Sequence, residues 1–166
     1  RFIDFIKNIQ NNSAPNDYIN IVDIKRNLEE EMPTGAMNCS IDHFKFLFNI
    51  QKRKSVRNNE NDYLCILSIR NENYFDSGKQ SKNIKDIFPV LEKSLRKGDV
   101  FTLWNNNQIL MILHDVSKNG TYSIKEKLIN NIRDYTRINK NEIEITTHHA
   151  ITVNKHSDDD AKATTI

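Results

Sequence analysis

The sequence predicts an α+β fold with a β-α-β-β-α-β core of the ferredoxin-like type, helices on one face of the sheet, and additional helices before it. The apolar run YLCILSI at residues 63–69 is typical of a central strand buried on both faces. Residues 99–104 and 108–113 resemble two strands joined by an asparagine turn, whose tip suits residues that tolerate positive φ. Stretches with apolar residues at helical spacing lie between and after these strands, and they complete the predicted order of helices and strands.

Two helices are predicted at the N-terminus. Residues 2–10 and residues 17–32 carry apolar side chains at helical spacing. The second helix has a narrow apolar stripe, which suits packing on a partner helix or on an upstream region. This stripe consists of Ile21, Ile24 and Leu28. We therefore interpret the second helix as a dimer or linker helix.

A domain boundary is expected at Pro33-Thr34-Gly35, because proline and glycine end the second helix. Residues 1–33 are then a helical linker or the end of an upstream helical domain. Residues 34–154 form the main domain. Residues 155–166 lack any apolar pattern and are predicted to be disordered.

The main domain is predicted to alternate between helices and strands. Asp42 is expected to cap its first helix, and Pro89 must begin or kink its second. Residues 35–40 form a connector or a short strand, and residues 71–80 form a polar loop. The predicted helices are residues 42–57, 84–95 and 122–135, and the predicted strands are residues 63–69, 99–104, 108–113 and 142–153.

Composition excludes several classes of protein. The net charge is +2, from 24 basic and 22 acidic residues, so the charge balance requires neither nucleic acid nor an anionic membrane as partner. Cys65 lies in an apolar run and is expected to be a reduced core thiol. No stretch approaches the roughly 18–20 apolar residues of a transmembrane helix. We expect a cytoplasmic protein, and because the chain begins at Arg1 we interpret it as a fragment of a longer one.

The hairpin resembles a known family. Its features are Arg96-Lys97-Gly98-Asp99-Val100, an aromatic residue at Trp104, a polar turn and an apolar strand. They resemble the central hairpin of GGDEF domains, the diguanylate cyclase fold. The namesake motif of that family falls on Asn105, Asn106, Asn107, Gln108 and Ile109, and none of these residues matches it. The metal-binding aspartate of the family's first strand falls at about Ser68.

These departures imply that the chain is not an enzyme. Glycines let the backbone approach nucleotide phosphates closely, and carboxylates hold the divalent cations used in phosphoryl transfer. Ser68, Asn107 and Gln108 are neutral and have side chains. We expect a catalytically inactive domain with no cofactor and no metal, and we rank an active nucleotide cyclase last among the hypotheses.

Residues 34–115 also resemble the C-terminal region of bacterial transcriptional activators of the SARP type, which contain a bacterial transcriptional activator domain. The matching features are Gly35-Ala36 with Cys39, the basic helix end at Arg53 and Arg57, and residues 95–100. The resemblance implies a regulatory or interaction domain of a transcription regulator. Its partners would be other domains of that regulator or a second copy, with DNA contacted only by upstream domains.

An alternative function is a cyclic di-GMP receptor. Arg96 and Asp99 have the RxxD spacing of the inhibitory product-binding site of GGDEF enzymes, where arginine and aspartate bind the dinucleotide. The competing interpretation is that Arg96 ends a helix favourably and Asp99 shapes the start of the next strand. Both interpretations remain open from the sequence.

Two further patterns have simple explanations. Lys52-Arg53-Lys54 with Arg57 could contact phosphates, but a solvated helix end accounts for it. His114-Asp115 and His148-His149 could be brought together by adjacent strands as a metal site. Their spacing matches no known metal cluster, and histidines at strand ends are usually just polar.

Overall fold

The structure of the protein is a computed structural model that describes residues 20–31, 34–70 and 83–150. The chain divides into two units, residues 1–32 and residues 33–166. The predicted helix at 2–10, the predicted loop at 71–80 and the predicted disordered tail at 155–166 lie outside the described residues. No helix among the described residues is long and apolar enough to cross a membrane.

The first unit contains helix α1 (Ile21–Leu28), which is shorter than the predicted helix 17–32. Its N-terminus is capped by Asn20, whose side-chain oxygen accepts a hydrogen bond from the Val22 amide at 3.0 Å. At its end, Glu29 already has an extended backbone. None of the residues of α1 is buried, and Leu28 is 76% exposed. The stripe that contains Leu28 is therefore an exposed apolar surface, and its role in association stays a prediction.

The described part of the second unit contains five strands, three α-helices and two short 3₁₀ helices. The strands are β1 (Met37–Asn38), β2 (Tyr63–Ile69), β3 (Val100–Asn105), β4 (Gln108–Leu113) and β5 (Ile143–His149). The α-helices are α2 (Ile41–Asn58), α3 (Phe88–Ser94) and α4 (Lys118–Tyr135), and the 3₁₀ helices span Ile84–Ile87 and Lys140–Glu142.

The five strands form one sheet in the order β1-β3-β4-β2-β5. Strand β2 is antiparallel to both β4 and β5, and β3 is antiparallel to β4. The succession β2-α3-β3-β4-α4-β5 with this strand order is the ferredoxin-like arrangement, so the predicted α+β fold is confirmed. Strand β1 extends the sheet at one edge by pairing parallel with β3.

The main core lies between the sheet and the helices α3 and α4. Strand β2 contributes alternating buried residues, and its intervening residues are only half-buried, so the prediction of burial on both faces is wrong for this strand. The alternation leaves one face of the sheet as the principal apolar surface. Fully buried members of the core include Leu67, Leu91, Phe101, Met111 and Ile132.

Two helix starts differ from the prediction. Ser40 caps α2, because its hydroxyl accepts from the His43 amide at 3.3 Å, and Asp42 lies in the first turn instead. Helix α4 begins about one turn before the predicted start, with Ser117 accepting from the Gly120 amide at 3.0 Å. Because Gly120 lies in the first turn and has no apolar side chain, the apolar periodicity does not reveal where this helix begins. Pro89 lies at the start of α3, as predicted.

Gly35 lies against the end of α3. A Cβ atom at this position would be 1.6 Å from the carbonyl oxygen of Glu92, so only glycine fits without movement of the helix backbone. The neighbouring Ala36 is completely buried. This close approach explains why small residues stand immediately before β1.

Candidate functional site

The tip of the β3–β4 hairpin lies beside the end of β2. Ser68 is the register partner of Gln108, and the Gln108 Nε2 atom donates to the Ser68 hydroxyl at 3.2 Å. The Ile69 amide donates to the Asn107 carbonyl at 2.9 Å. The structure therefore brings together Ser68 and the turn residues that the sequence resemblance singled out. They line an open cleft of about 570 Å³, formed by Ser68, Ile69, Asn105, Asn106, Asn107 and Gln108.

Side-chain amides hold this turn together. The Asn105 side-chain oxygen accepts from the Asn107 amide at 2.9 Å, and the Asn105 Nδ2 atom donates to the Gln108 side-chain oxygen at 2.8 Å. The prediction that the asparagines supply positive φ is wrong. Among the described non-glycine residues, only Asn59 and Asp115 have positive φ. Asparagine serves here by hydrogen-bonding its own backbone, as in an Asx turn.

The polar side chains described in the lining of the cleft are neutral hydrogen-bond donors and acceptors. Its described lining consists of carboxamides, one hydroxyl and one aliphatic side chain. Ile109, the last position on which the sequence resemblance places the family motif, lies in β4 and is fully buried. Such a lining offers hydrogen bonds but no charge to attract a hard divalent cation.

Asp99 is part of the protein's internal structure. Its side chain is 1% exposed. One carboxylate oxygen accepts from the Arg96 amide at 3.0 Å, and the other accepts from the His114 amide at 3.2 Å. Both oxygens are therefore occupied by backbone donors. This geometry favours the interpretation in which Asp99 shapes the start of β3.

Arg96 is more accessible than Asp99. Its side chain is 58% exposed, its Nε atom lies 3.6 Å from Asp99, and its Nη2 atom donates to the carbonyl oxygen of His114. The guanidinium thus links the start of β3 to the end of β4. Binding of cyclic di-GMP by Arg96 and Asp99 stays a prediction.

A second polar cluster lies at the opposite end of β2 and centres on buried Asp62. One oxygen of Asp62 is 2.7 Å from His114 Nδ1 and accepts from the Asp115 amide at 3.0 Å. The other oxygen accepts from the Ser55 hydroxyl. Burial acts to raise the pKa of Asp62, but the hydrogen bonds from Ser55, Asp115 and His114 outweigh it and hold that pKa below its usual value.

Glu60 completes this cluster from the other side of the imidazole. Its Oε2 atom is 3.7 Å from His114 Nε2, and its Oε1 atom accepts from the Asn58 side chain at 3.1 Å. The ligand atoms of Glu60, Asp62 and His114 all lie within 4.8 Å of one another. We refer to these three residues as the Glu60 cluster.

Sequence reasoning missed the Glu60 cluster, although a signal was present. Glu60 and Asp62 lie within the three residues before β2, and His114 directly follows β4. Because these strands are antiparallel and Tyr63 pairs with Leu113, the start of one strand meets the end of the other. Combining the hairpin prediction with this pairing would have brought the three residues together.

The other histidine pair has different neighbours. The ring of His149 packs against Tyr63 with centroids 4.9 Å apart, and His148 Nε2 lies 3.2 Å from the Thr146 hydroxyl. In the described part of the chain, His114 is grouped with carboxylates and not with His148 or His149. The arrangement considered from the sequence, in which the two histidine pairs meet, is not among the possible metal-ligating groups of the described residues.

No protein-family profile and no curated protein matches the chain. Among solved structures it is similar to a DGC protein from Thermotoga maritima, with TM-score 0.49 and 17% identity over 69% of this chain and 80% of that one. It is also similar to the diguanylate cyclase SiaD from Pseudomonas aeruginosa, solved with its activator SiaC, with TM-score 0.49 and 12% identity over 76% of this chain. The match spans only 52% of the SiaD chain.

A third similar structure is the FimX GGDEF domain from Pseudomonas aeruginosa. Its TM-score is 0.44, with 12% identity over 74% of this chain and 82% of that chain. All three similarities concern the fold alone.

Proposed function

We propose that this chain is a catalytically inactive GGDEF-like regulatory and interaction domain of a bacterial transcription regulator. The observation that supports this best is the hydrogen-bonded carboxamide turn at the tip of the hairpin. Asn105 and Gln108 bond to each other, and Gln108 bonds to Ser68. These are the positions where the sequence resemblance would require phosphate-binding glycines and metal-binding carboxylates.

The proposal follows from what phosphoryl transfer requires. A cyclase must neutralise the charge of a triphosphate with divalent cations held by carboxylates, and it must let the phosphates approach the backbone. The described lining of the cleft has neutral side chains, and three of its four turn residues are asparagine. Residues of this kind preserve the turn and lose the cation-binding chemistry.

The proposed lack of catalysis is tested by an assay for the conversion of GTP to cyclic di-GMP. The untagged chain is incubated with GTP and either Mg²⁺ or Mn²⁺, and nucleotides are separated by chromatography, with an active diguanylate cyclase assayed in parallel. We expect no cyclic di-GMP and no pyrophosphate above the protein-free blank. Formation of cyclic di-GMP in proportion to protein concentration would overturn the proposal.

The interaction part of the proposal rests on exposed apolar surface. Helix α1 carries Ile21, Ile24 and Leu28, all exposed and spaced three and four residues apart, as in the seam of a two-helix coiled coil. We propose that this stripe associates with a second copy or with another domain of the same cytoplasmic regulator. DNA would be contacted only by upstream domains.

The stripe predicts a specific effect on association. Leu28→Asp places a charge in the seam, and we expect it to abolish any concentration-dependent dimer seen by sedimentation. Arg26→Asp makes a larger change of charge on an exposed residue of the opposite helix face, and it should leave dimerisation intact. Equal loss in both variants would indicate a charge effect and would contradict packing through the stripe.

A further inference from the structure

The Glu60 cluster has a geometry that the proposed function does not use. His114 is held from one side by Asp62, through the 2.7 Å contact to Nδ1. An Nδ1–H that donates to a carboxylate leaves Nε2 with its lone pair directed away from that carboxylate. This orientation is the one that second-sphere carboxylates impose on metal-binding histidines.

The distance on the other side of the ring also suits a metal ion. The Nε2 atom of His114 and the Oε2 atom of Glu60 are 3.7 Å apart, which is too long for a hydrogen bond. Two ligand atoms each about 2.1 Å from a tetrahedral ion are separated by about 3.4 Å. A few tenths of an ångström of side-chain movement would therefore place both atoms on one ion.

Glu60 provides an independent observation. Its Oε2 atom is inaccessible to solvent and accepts no hydrogen bond, although Oε1 is bonded to Asn58. A buried carboxylate oxygen without a donor is costly, and a cation between Glu60 and His114 would remove that cost. The His114 ring lies between the carboxylates of Glu60 and Asp62, with no Lys or Arg in either ion pair, so the charge beside the ring favours a cation.

We propose that Glu60 and His114 bind one divalent transition-metal ion of the zinc type, with Asp62 as the positioning residue and water completing the coordination. Imidazole nitrogen and carboxylate oxygen are ligands that zinc accepts, and a harder ion such as Mg²⁺ would not select histidine. The site lies at the end of β2 away from the hairpin tip. It is independent of nucleotide chemistry, and it would fasten the end of α2 to the end of β4.

The test is direct binding of Zn²⁺ to the untagged chain after chelator treatment, followed by calorimetry and metal analysis. We expect one Zn²⁺ per chain. Glu60→Gln should weaken binding at least tenfold while retaining the bond to Asn58, and Asp62→Asn should weaken it by roughly 10–100-fold through loss of histidine orientation. His148→Gln removes an exposed histidine outside the cluster and should leave the affinity unchanged.

Cobalt substitution identifies the ligands. Co²⁺ in the proposed site should give the visible bands of a nitrogen- and oxygen-ligated ion without the near-ultraviolet band of a cobalt–thiolate bond. Those visible bands should be lost in Glu60→Gln, whose fold is checked by circular dichroism. No Zn²⁺ uptake by the folded chain, uptake unchanged in Glu60→Gln, or a thiolate band from Cys39 or Cys65 would each overturn the proposal.

Discussion

Replacing Asp62 with alanine is expected to destabilise the protein by about 3–5 kcal/mol, the usual cost of removing one partner from a buried charged network. The Asp62 side chain is 0% exposed. It accepts hydrogen bonds from Ser55 and the Asp115 amide and contacts His114 Nδ1. Alanine would leave these three donors without their acceptor, and the midpoint of urea unfolding should fall accordingly.

Asp42→Ala is the matched control for this experiment. Asp42 is an exposed aspartate in the first turn of α2, and its replacement should cost no more than about 1 kcal/mol. A loss below about 1 kcal/mol for Asp62→Ala would show that the buried network contributes little, and it would contradict the geometry described for the Glu60 cluster.

The lowered pKa of Asp62 gives this effect a pH dependence. A carboxyl group with a folded-state pKa below its unfolded value contributes stability that is present above the unfolded pKa of about 4. That contribution is lost as the pH falls through the lowered folded-state pKa. The stability difference between the protein and Asp62→Asn, measured in metal-free buffer, should therefore be constant near neutral pH and shrink only below about pH 4. A difference that shrinks between pH 7 and 5 would contradict a lowered pKa.

Replacing Asp99 with alanine is the second large expected effect, at about 2–4 kcal/mol of lost stability. Asp99 is buried and accepts from the backbone amides of Arg96 and His114, so alanine leaves two donors unsatisfied where β3 and β4 are fastened together. Thermal or chemical unfolding measures the loss. Lys97→Ala, an exposed neighbour, should change stability by less than about 0.5 kcal/mol.

The same residue separates the structural interpretation from the receptor hypothesis. If Asp99 is structural, titration of the folded protein with cyclic di-GMP should give no heat, and Arg96→Ala should behave like the parent chain. Saturable micromolar binding of the dinucleotide that is lost in Arg96→Ala would establish the receptor function. It would also require Asp99 to exchange its backbone partners for the ligand.

The strands of this fold could be predicted from the sequence because their signals are local. The apolar run at 63–69 coincides with β2, and the polar turn lies between β3 and β4 as expected. Helix α4 was predicted to begin too late because Gly120 interrupts its first turn, and only the Ser117 cap shows where it begins. Strand β1 has only two residues and depends on pairing with β3. A pairing between residues so far apart in the sequence cannot be predicted from a local pattern.

The candidate site was predictable only in part. The resemblance singled out Ser68 and the asparagine turn, and the strand register places them side by side. The role of the asparagines could not be predicted from the sequence. Asparagine in a turn suggests positive φ, but here the Asn105 side chain forms hydrogen bonds within the turn. The Glu60 cluster was missed because its members are separated in sequence and meet only through antiparallel pairing.

We propose that the hairpin tip is a turn held by its own side-chain hydrogen bonds and that it does not bind nucleoside triphosphate. We would test it by titrating ¹⁵N-labelled protein with GTP and Mg²⁺ while following the amides of Ser68 and Asn105–Gln108, together with the indole of Trp104, the single tryptophan of the chain. We expect these signals to stay in place at millimolar nucleotide. Saturable shifts confined to these residues would contradict it.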